Sequence, residues 1–229
     1  MEFGYWKIRG LGAVFRMLLE YKEAKYEDKQ YFTGDDWFKE RKPAILELNP
    51  LANLPYLIDG DKCVCQTNAI LQYLGEKFGL NGASESQKIR TDELLCEIYD
   101  VRNKIILLSY PHHNVCRDKG EFEAMAERIV KSPPFAKFEA ILNFKDNASS
   151  GKWFVLADGP GVADFHIWEM LDQHQILAER IGGEPVLDKF PKCKAFYEAF
   201  RALPTLQKYF ASEDYKMEVN STLDNTYFP

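Results

Sequence analysis

The sequence contains no apolar run of roughly 18 residues, the length that a membrane-spanning helix requires. Its first residues, Met-Glu-Phe-Gly, lack the basic and apolar regions of a secretory signal peptide. An excess of positive charge is also missing, because the net charge is −6, and this argues against a surface for nucleic acid. We therefore expect a cytoplasmic protein that binds neither membranes nor nucleic acid.

Cysteine and histidine are few, and their spacing does not favour a metal site. Five cysteines occur without a C-x-x-C pair, and the four histidines do not combine with them at ligand spacing. Cys63 and Cys65 would point to one face of a strand, and we expect all five cysteines to be free thiols. Since no cysteine occurs between residues 1 and 62, a thioredoxin-like disulfide oxidoreductase, which needs a reactive thiol at the first helix, is disfavoured.

The first third of the chain alternates between strand and helix patterns. Residues 3–8 and 26–32 suit strands, and the apolar residues at helical spacing over 14–21 complete a β-α-β unit. The charged segment 34–49 is interpreted as a loose helix or an irregular surface connection. A further amphipathic helix is predicted over 69–78, and the glycine that follows it suits a C-cap.

Residues 53–61 form the most informative stretch of this part. Pro55 has no N–H for a strand ladder and belongs at a strand start or edge, which leaves the backbone of Leu54 free to pair with a ligand. Asp59-Gly60 predicts a hairpin turn, and Gln66-Thr67 lies where the return strand leads into a helix. The first N–H groups of a helix attract carboxylates. The stretch therefore fits either a ligand-binding strand beside an anion site or an ordinary hairpin with a threonine N-cap.

After residue 86 only helical patterns occur. One long helix is predicted from Ser86 to Tyr110, where Pro111 stops it. We therefore predict a small α/β domain over 1–80, a linker over 81–86 and an all-helical domain over 87–229. Further helices of this domain are predicted over 121–131, 135–145, 162–180, 192–202 and about 205–211.

Short motifs in this order resemble the cytosolic glutathione transferases, and the mu and pi classes most closely. Residues 4–11 (GYWKIRGL), 53–60 (NLPYLIDG) and 66–71 (QTNAIL) are similar to mu enzymes. Residues 99–104 (YDVRNK) and 108–110 (LSY) are closer to pi enzymes, so the class stays open between mu, pi and a separate one. The resemblance covers nearly the whole chain and is specific because the motifs also match in their separations.

The resemblance implies the glutathione transferase fold, with an α/β thioredoxin-like N-terminal domain and an all-α C-terminal domain. It implies a cis peptide bond before Pro55. It also implies a homodimer that takes glutathione as co-substrate, without a metal, and conjugates its thiolate to small hydrophobic electrophiles in detoxification. Leu51 stands where relatives place an aromatic residue that inserts into the partner subunit, and a leucine buries less area there.

Tyr5 matches the catalytic tyrosine of the family. A thiol with a pKa of about 8.5 is largely protonated at neutral pH, whereas a phenol with a pKa of about 10 keeps its proton and can donate a hydrogen bond to the thiolate. The resemblance also implies that Trp6 and Leu11 contact glutathione and that Leu11 and Tyr110 contact the electrophile. Without the resemblance, Tyr5 would be interpreted as a half-buried strand residue.

The carboxylates and peptide groups of glutathione are assigned to further residues by the same resemblance. Gln66 and Thr67 match the pair for the γ-glutamyl end, and the backbone of Leu54, between Asn53 and Pro55, matches the site for the cysteinyl unit. The glycyl carboxylate is assigned to Trp37 and Arg41, with Lys42 as a second candidate, and the glutamyl amino group to Asp100 of the partner subunit.

Two functions of different classes remain. The first is a glutathione transferase. The second is a non-catalytic relative, either a ligand carrier or a structural protein that keeps the fold, because function depends on the site and not on the fold. Retention of the expected glutathione contacts favours the enzyme.

Overall fold

A computed structural model of the protein describes residues 1–144, 151–222 and 225–229. The first part of the chain folds into a mixed sheet with helices, as the alternating patterns predict. Its elements are β1 (Glu2–Trp6), α1 (Gly12–Tyr21), β2 (Glu27–Tyr31), a π-helical turn (Asp36–Arg41), α2 (Lys42–Leu48), β3 (Tyr56–Asp59), β4 (Lys62–Cys65) and α3 (Thr67–Phe78).

The register of the sheet brings three chain segments together at one end of its strands. In the described residues the strand order is β2-β1-β3-β4, with β1 parallel to β2 and antiparallel to β3. Gly4 is opposite Tyr56, and Tyr56 is opposite Cys65. One step further along each strand therefore lie Tyr5, Pro55 and Gln66. The peptide bond before Pro55 is cis, as the resemblance predicts.

The second part is helical and is organised around α7. This helix buries residues on all its sides, from Val162 to Ala178, and packs against α1, α3, α4, α5 and α8, which is typical of a helix at the centre of a domain. The helices of this part are α4 (Glu85–Ser109), α5 (Lys119–Lys131), α6 (Ala136–Leu142), α7 (Val162–Arg180), α8 (Pro191–Arg201) and α9 (Gln207–Phe210), with 3-10 turns at Pro111–His113, Val186–Lys189 and Pro204–Leu206. The end of the predicted helix 135–145 falls outside the described residues.

Local chemistry fixes the ends of several elements. The hairpin turns at Gly60 with φ of 63°, and α3 ends at Gly79 with φ of 70°, so both glycines adopt the left-handed conformation that suits them. At the start of α4, the Ser84 hydroxyl accepts from the Gln87 N–H and the Gln87 side chain accepts from the Ser84 N–H. Because of this cap, α4 begins at Glu85, inside the predicted linker 81–86.

The segment 34–49 is more regular than the sequence suggests. The expected loose or irregular connection is instead a π-helical turn that leads directly into α2. Its one large buried residue, Trp37, packs with Tyr31, Ile45 and Tyr56, and this small core holds the segment against the sheet. The sequence of this turn does not predict the core, because Trp37 is its only buried residue and one apolar position gives no periodic pattern.

The C-terminal segment folds back onto the loop after β1. The Arg9 N–H donates to the Glu218 carbonyl at 2.9 Å, and the Gly10 N–H donates to the Val219 carbonyl at 3.0 Å. Phe228 is completely buried, and its carbonyl accepts from the side chain of Asn220 at 2.8 Å. The sequence left open whether this tail covers the electrophile site, and the described part of it is packed against the site region.

None of the helices within residues 1–144, 151–222 and 225–229 combines the length and the hydropathy that crossing a membrane requires.

Candidate active site

Tyr5 lies near the end of β1 and packs closely against two glycines, Gly10 in the following loop and Gly12 at the start of α1. Its side chain is 5% exposed. A Cβ atom on Gly12 would lie 2.7 Å from Tyr5 Cδ1, and one on Gly10, whose φ is 38°, would lie 3.0 Å from the Tyr5 hydroxyl. Only glycine therefore allows the loop to close on this ring. Among the described residues the Tyr5 hydroxyl has no hydrogen-bond partner, so its proton is available to a bound molecule.

A cavity of about 400 Å³ opens beside this ring. Three of the predicted site residues line it, namely Tyr5, Trp6 and Tyr110. Predicted Leu11 is buried and is not part of the wall, where the backbone of Gly10 stands instead. The complete lining is Tyr5, Trp6, Ile8, Gly10, Phe32, Gly34, Phe38, Arg102, Ile106, Tyr110, His112, His113, Asn220 and Ser221.

The strand ends contribute an apolar side to the cavity. The rings of Trp6 and Phe38 are 6.3 Å apart, and Phe38 and Phe32 keep 57% and 58% of their surfaces exposed. Aromatic surface of this size is costly to leave in water and is available for burial against an apolar ligand. This side can accept hydrophobic molecules of different shapes, because burial is not directional.

The remaining wall of the cavity is formed by the end of α4, the 3-10 turn after it and the C-terminal tail. The Tyr110 hydroxyl accepts from the Ser221 N–H at 2.8 Å, which fixes the tail at the cavity. The ring centroids of His112 and His113 are 4.4 Å apart. Burial, followed by the charges of His112 and Arg102, lowers the pKa of His113 below its usual value.

The predicted residues for the glutamyl and cysteinyl groups form a surface at the same sheet edge as Tyr5. Gln66 is exposed and has φ of 77°, an unusual conformation for a residue with a side chain, and Thr67 is the first residue of α3. Within the described residues no side-chain cap hydrogen bond is made at this helix start, so its first N–H groups have no side-chain partner. The Leu54 N–H donates to Oδ1 of the exposed Asn53 at 2.9 Å, whereas the sequence predicts a ligand partner for it.

Trp37 and Arg41 lie in internal contacts away from the cavity wall. The Trp37 ring stacks on Tyr56 at 5.9 Å and is 1% exposed. The Arg41 guanidinium donates to Glu2 at 2.6 Å and to the Tyr56 hydroxyl at 3.2 Å. The π-helical turn thus places Trp37 in the small core and Arg41 in a half-buried pair with Glu2, and a contact of either residue with a glycyl carboxylate stays a prediction.

Lys42, the second candidate for that carboxylate, is placed differently. Its ammonium nitrogen lies 5.4 Å from the ring centroid of Phe38, a residue of the cavity wall. Asp100 is exposed on α4 and does not line the cavity, and its contact with a partner subunit stays a prediction.

Several lining residues were not predicted from the sequence. Phe38 and Ile106 lie in elements whose inward face was not known, and Asn220 and Ser221 come from a tail without a recognisable pattern. His112 and His113 follow Tyr110 closely in the sequence, and this proximity to a predicted site residue was the available signal for them. In the described part of the chain no three side chains of metal-ligand type converge, and the metal-free site stays a prediction.

Comparison with known proteins agrees with this geometry. The family model for the glutathione S-transferase N-terminal domain matches residues 1–76, and that for the glutathione S-transferase C-terminal domain matches residues 99–213. The chain therefore belongs to the glutathione S-transferase family, which confirms the resemblance and the predicted fold.

The relatives include mu-class enzymes. The chain is 36% identical to glutathione S-transferase Mu 1 of Oryctolagus cuniculus, over 93% of this chain and 91% of that protein, and 35% identical to glutathione S-transferase Mu 6 of Mus musculus, over 91% and 89%. Among solved structures, the Onchocerca volvulus pi-class glutathione S-transferase is 28% identical with a TM-score of 0.77, over 96% of this chain and 97% of that one. The glutathione S-transferase Blo t 8 is 26% identical with a TM-score of 0.79, over 98% of each chain.

Proposed function

We propose that this glutathione transferase conjugates the thiolate of glutathione to hydrophobic electrophiles and that Tyr5 stabilises the thiolate. The proposal depends on one observation, that the Tyr5 hydroxyl stands beside the cavity without a hydrogen-bond partner among the described residues. A hydrogen bond to a charged group contributes about 2–3 kcal/mol, which corresponds to a decrease of roughly two units in the thiol pKa. Most bound glutathione would then be thiolate at neutral pH.

Glutathione is held across the sheet edge in this proposal. The uncapped N-terminus of α3, with the exposed Gln66 and with Thr67, receives the γ-glutamyl carboxylate. The cysteinyl unit pairs with the backbone of Leu54, whose N–H exchanges the side chain of Asn53 for the peptide. The glycyl carboxylate is received by Lys42, whose ammonium group lies beside the cavity wall.

The active protein is proposed to be a cytoplasmic homodimer that acts in detoxification. Leu51 is 67% exposed in the single chain, and Asp100 is exposed on α4, so both are available to a partner subunit. In the dimer, Asp100 binds the glutamyl amino group of glutathione on the neighbouring subunit. All five cysteines are free thiols in the structure, which suits a reducing compartment.

The test is a titration of thiolate absorbance in the glutathione complex of the wild type and of Tyr5→Phe. We expect a thiol pKa near 6.5, about two units lower than in free glutathione, in the wild type and a normal pKa in the variant, with glutathione still bound. Tyr26→Phe is the matched control, because it removes a tyrosine hydroxyl that is remote from the cavity and contacts Glu20. An unshifted pKa in a tight wild-type complex would reject the mechanism and support the ligand-carrier function.

A further inference from the structure

Two cysteines of β4 lie side by side in the sheet domain. Cys63 and Cys65 are separated by one residue, so their side chains leave the strand on the same face. Cys65 belongs to the small core around Trp37 and Cys63 packs against it, whereas Val64 between them packs against the larger core. The two thiols are also hydrogen-bonded to each other. Neither cysteine lines the cavity next to Tyr5, so the proposed conjugation does not use the pair.

The pair lies at the boundary between the small core and solvent. Cys65 is 4% exposed, Cys63 is partly exposed, and β4 is an edge strand of the described sheet. Their partners across the strand pair are Tyr56 and Ile58 of β3. The Cys63 carbonyl accepts from the side chain of Asn49, at the end of α2, at 2.8 Å. A small ion can therefore reach the pair at Cys63, and at Cys65 it is enclosed by apolar side chains.

The spacing of the pair does not suit a disulfide. Two steps along a strand separate the Cα atoms by about 6.6 Å, and the Cβ separation is similar because both Cβ atoms point the same way. A disulfide requires a Cβ separation of about 3.5–4.5 Å. The backbone of β4 would have to leave its register with β3 to allow this bond. Cys63 and Cys65 should therefore stay a reduced dithiol.

A metal ion, in contrast, can bridge the two thiols without moving the strand. With metal–sulfur bonds of about 2.3 Å, a linear bridge places the sulfur atoms up to about 4.6 Å apart. Starting from a Cβ separation of about 6.6 Å, each sulfur then needs to lean only about 1 Å towards the other. The dithiol therefore has the span of a bis-thiolate metal complex.

The number of ligands decides which metal fits. Thiolates are soft ligands that select Cu(I) and zinc among the common metals. Structural zinc takes four ligands, and within the described ranges no group of three histidine, cysteine, aspartate or glutamate side chains is placed to hold a metal. Cu(I) differs from zinc because it is stable between two thiolates in a linear arrangement. The pair thus supplies a complete ligand set for Cu(I) and half of one for zinc.

We propose that Cys63 and Cys65 form a two-coordinate binding site for Cu(I). The bis-thiolate complex of a monovalent ion carries one negative charge. The guanidinium of Arg41 interacts electrostatically with Cys63 and stabilises this charge, although its ion pair with Glu2 offsets part of the effect. The apolar side chains around Cys65 keep water and further ligands away from the ion.

Cu(I) enters this site by ligand exchange from a complex with low-molecular-mass thiolates. Two copper–sulfur bonds to the small thiolates break, and two form to Cys63 and Cys65. The two protein thiols release their protons, which the displaced thiolates take up. Copper stays in the +1 state throughout, so the exchange needs neither an oxidant nor a reductant.

The test is an anaerobic titration of the reduced protein with Cu(I) in competition with the chromophoric chelator bicinchoninate. We expect the wild type to remove one equivalent of Cu(I) per chain from the chelator. In Cys63→Ser the apparent affinity should fall about 100-fold or more, because the second thiolate no longer binds the ion intramolecularly. Cys96→Ser is the matched control, since it removes an exposed thiol on α4 and should bind Cu(I) like the wild type.

Two further measurements make the outcome specific. Urea unfolding of metal-free Cys63→Ser should match the wild type closely, because the position is partly exposed, and X-ray absorption of the loaded wild type should show two sulfur ligands. Tight binding that persists in Cys63→Ser, or that is lost in Cys96→Ser, would reject the site. A Cys63–Cys65 disulfide that forms on treatment with diamide, detected by mass spectrometry, would contradict the strand spacing on which the proposal depends.

Discussion

The guanidinium Nη2 of Arg9 donates to Oδ2 of Asp172 at 2.6 Å, although 163 residues separate them in the sequence. The same nitrogen donates to Glu169 at 2.8 Å, and the Tyr197 hydroxyl donates to the other oxygen of Asp172 at 2.6 Å. Arg9 precedes Gly10, and the backbone of both residues is bound by the tail. A buried ion cluster thus joins the loop that carries the Tyr5 pocket to α7 of the helical part.

Arg9→Met should destabilise the protein by about 3–5 kcal/mol, because it leaves two buried carboxylates without their cation. The free energy of unfolding in urea measures this loss. The control Arg9→Met/Glu169→Gln/Asp172→Asn removes the charges together and should recover much of the stability. A loss under about 1 kcal/mol in the single variant would show that the cluster is not a significant source of stability.

Gly12→Ala should impair the site more than the fold. The new Cβ would lie 2.7 Å from Tyr5 Cδ1 and 2.8 Å from Arg16 Nη1, so the Tyr5 ring must move. We expect kcat/KM to fall roughly 10- to 100-fold, the effect of displacing a reacting group by about 1 Å. Gly120→Ala, in α5, is the control: its Cβ would approach only the Asp118 side chain, and the helix should gain up to about 1 kcal/mol. Similar activities of the two variants would contradict the prediction.

His166 should make the protein acid-sensitive. Burial, followed by the charge of Arg102, lowers the pKa of His166 to about 3, below the value of about 6.5 in an unfolded chain. Because the unfolded state takes up the proton first, stability is complete above about pH 6.5 and decreases as the pH falls towards 3. At pH 5 this one group should cost roughly 2 kcal/mol.

His166→Leu tests this pH dependence. Neither imidazole nitrogen of His166 has a hydrogen-bond partner among the described residues, so the variant should be as stable at pH 7 as the wild type or more stable, and less dependent on acid. His174→Leu is the comparison, because Nδ1 of His174 lies 2.6 Å from the Met170 carbonyl and this bond would be lost. Urea titrations at pH 5 and pH 7 give both quantities, and an unchanged pH dependence in His166→Leu would contradict the assignment.

Leu51→Phe should strengthen the proposed homodimer, and Leu51→Asp should weaken it. The leucine is 67% exposed in the single chain, and a phenylalanine would bury more apolar area in a partner subunit. Sedimentation equilibrium measures the dissociation constant. The control is Lys39→Phe, which introduces the same ring at an exposed position in the π-helical turn. Identical dissociation constants for all variants would place the interface elsewhere.

Phe228→Ala should release the tail without unfolding the protein. The ring is completely buried and lies 5.0 Å from the Arg180 guanidinium, so truncation should cost about 3–5 kcal/mol locally. Limited proteolysis should then cut near residues 218–222 faster than in the wild type. Lys216→Ala, which removes only an exposed ion pair with Glu213, should leave the tail protected. Equal cleavage rates would show that Phe228 does not hold the tail.

Local patterns in the sequence predict the elements of this fold well. The predicted helix over 162–180 is observed as Val162–Arg180, and the hairpin turn at Gly60 and the C-cap at Gly79 are confirmed. In these cases the signal, whether apolar periodicity or a residue that tolerates positive φ, lies in the same few residues that form the element. The agreement therefore reflects interactions that are short in sequence.

The position of Trp37 could not be predicted in the same way. The family resemblance implies a ligand contact for Trp37, but the direction of its ring depends on the π-helical turn and on the space between Tyr31 and Tyr56. Similarly, Ser221 reaches the cavity because its N–H binds Tyr110, 111 residues away. Contacts of this kind leave no periodic pattern, and only the folded chain reveals them.

The backbone bonds from Arg9 and Gly10 to Glu218 and Val219 affect the order in which this protein can mature during synthesis. The strand with Tyr5 leaves the ribosome early, and its sheet needs no residue beyond α3. The partners that close the loop next to Tyr5 are translated more than two hundred residues later. The loop beside Tyr5 can therefore reach its final conformation only after Glu218 and Val219 have emerged, so the cavity at this loop is among the last parts of the fold to be completed.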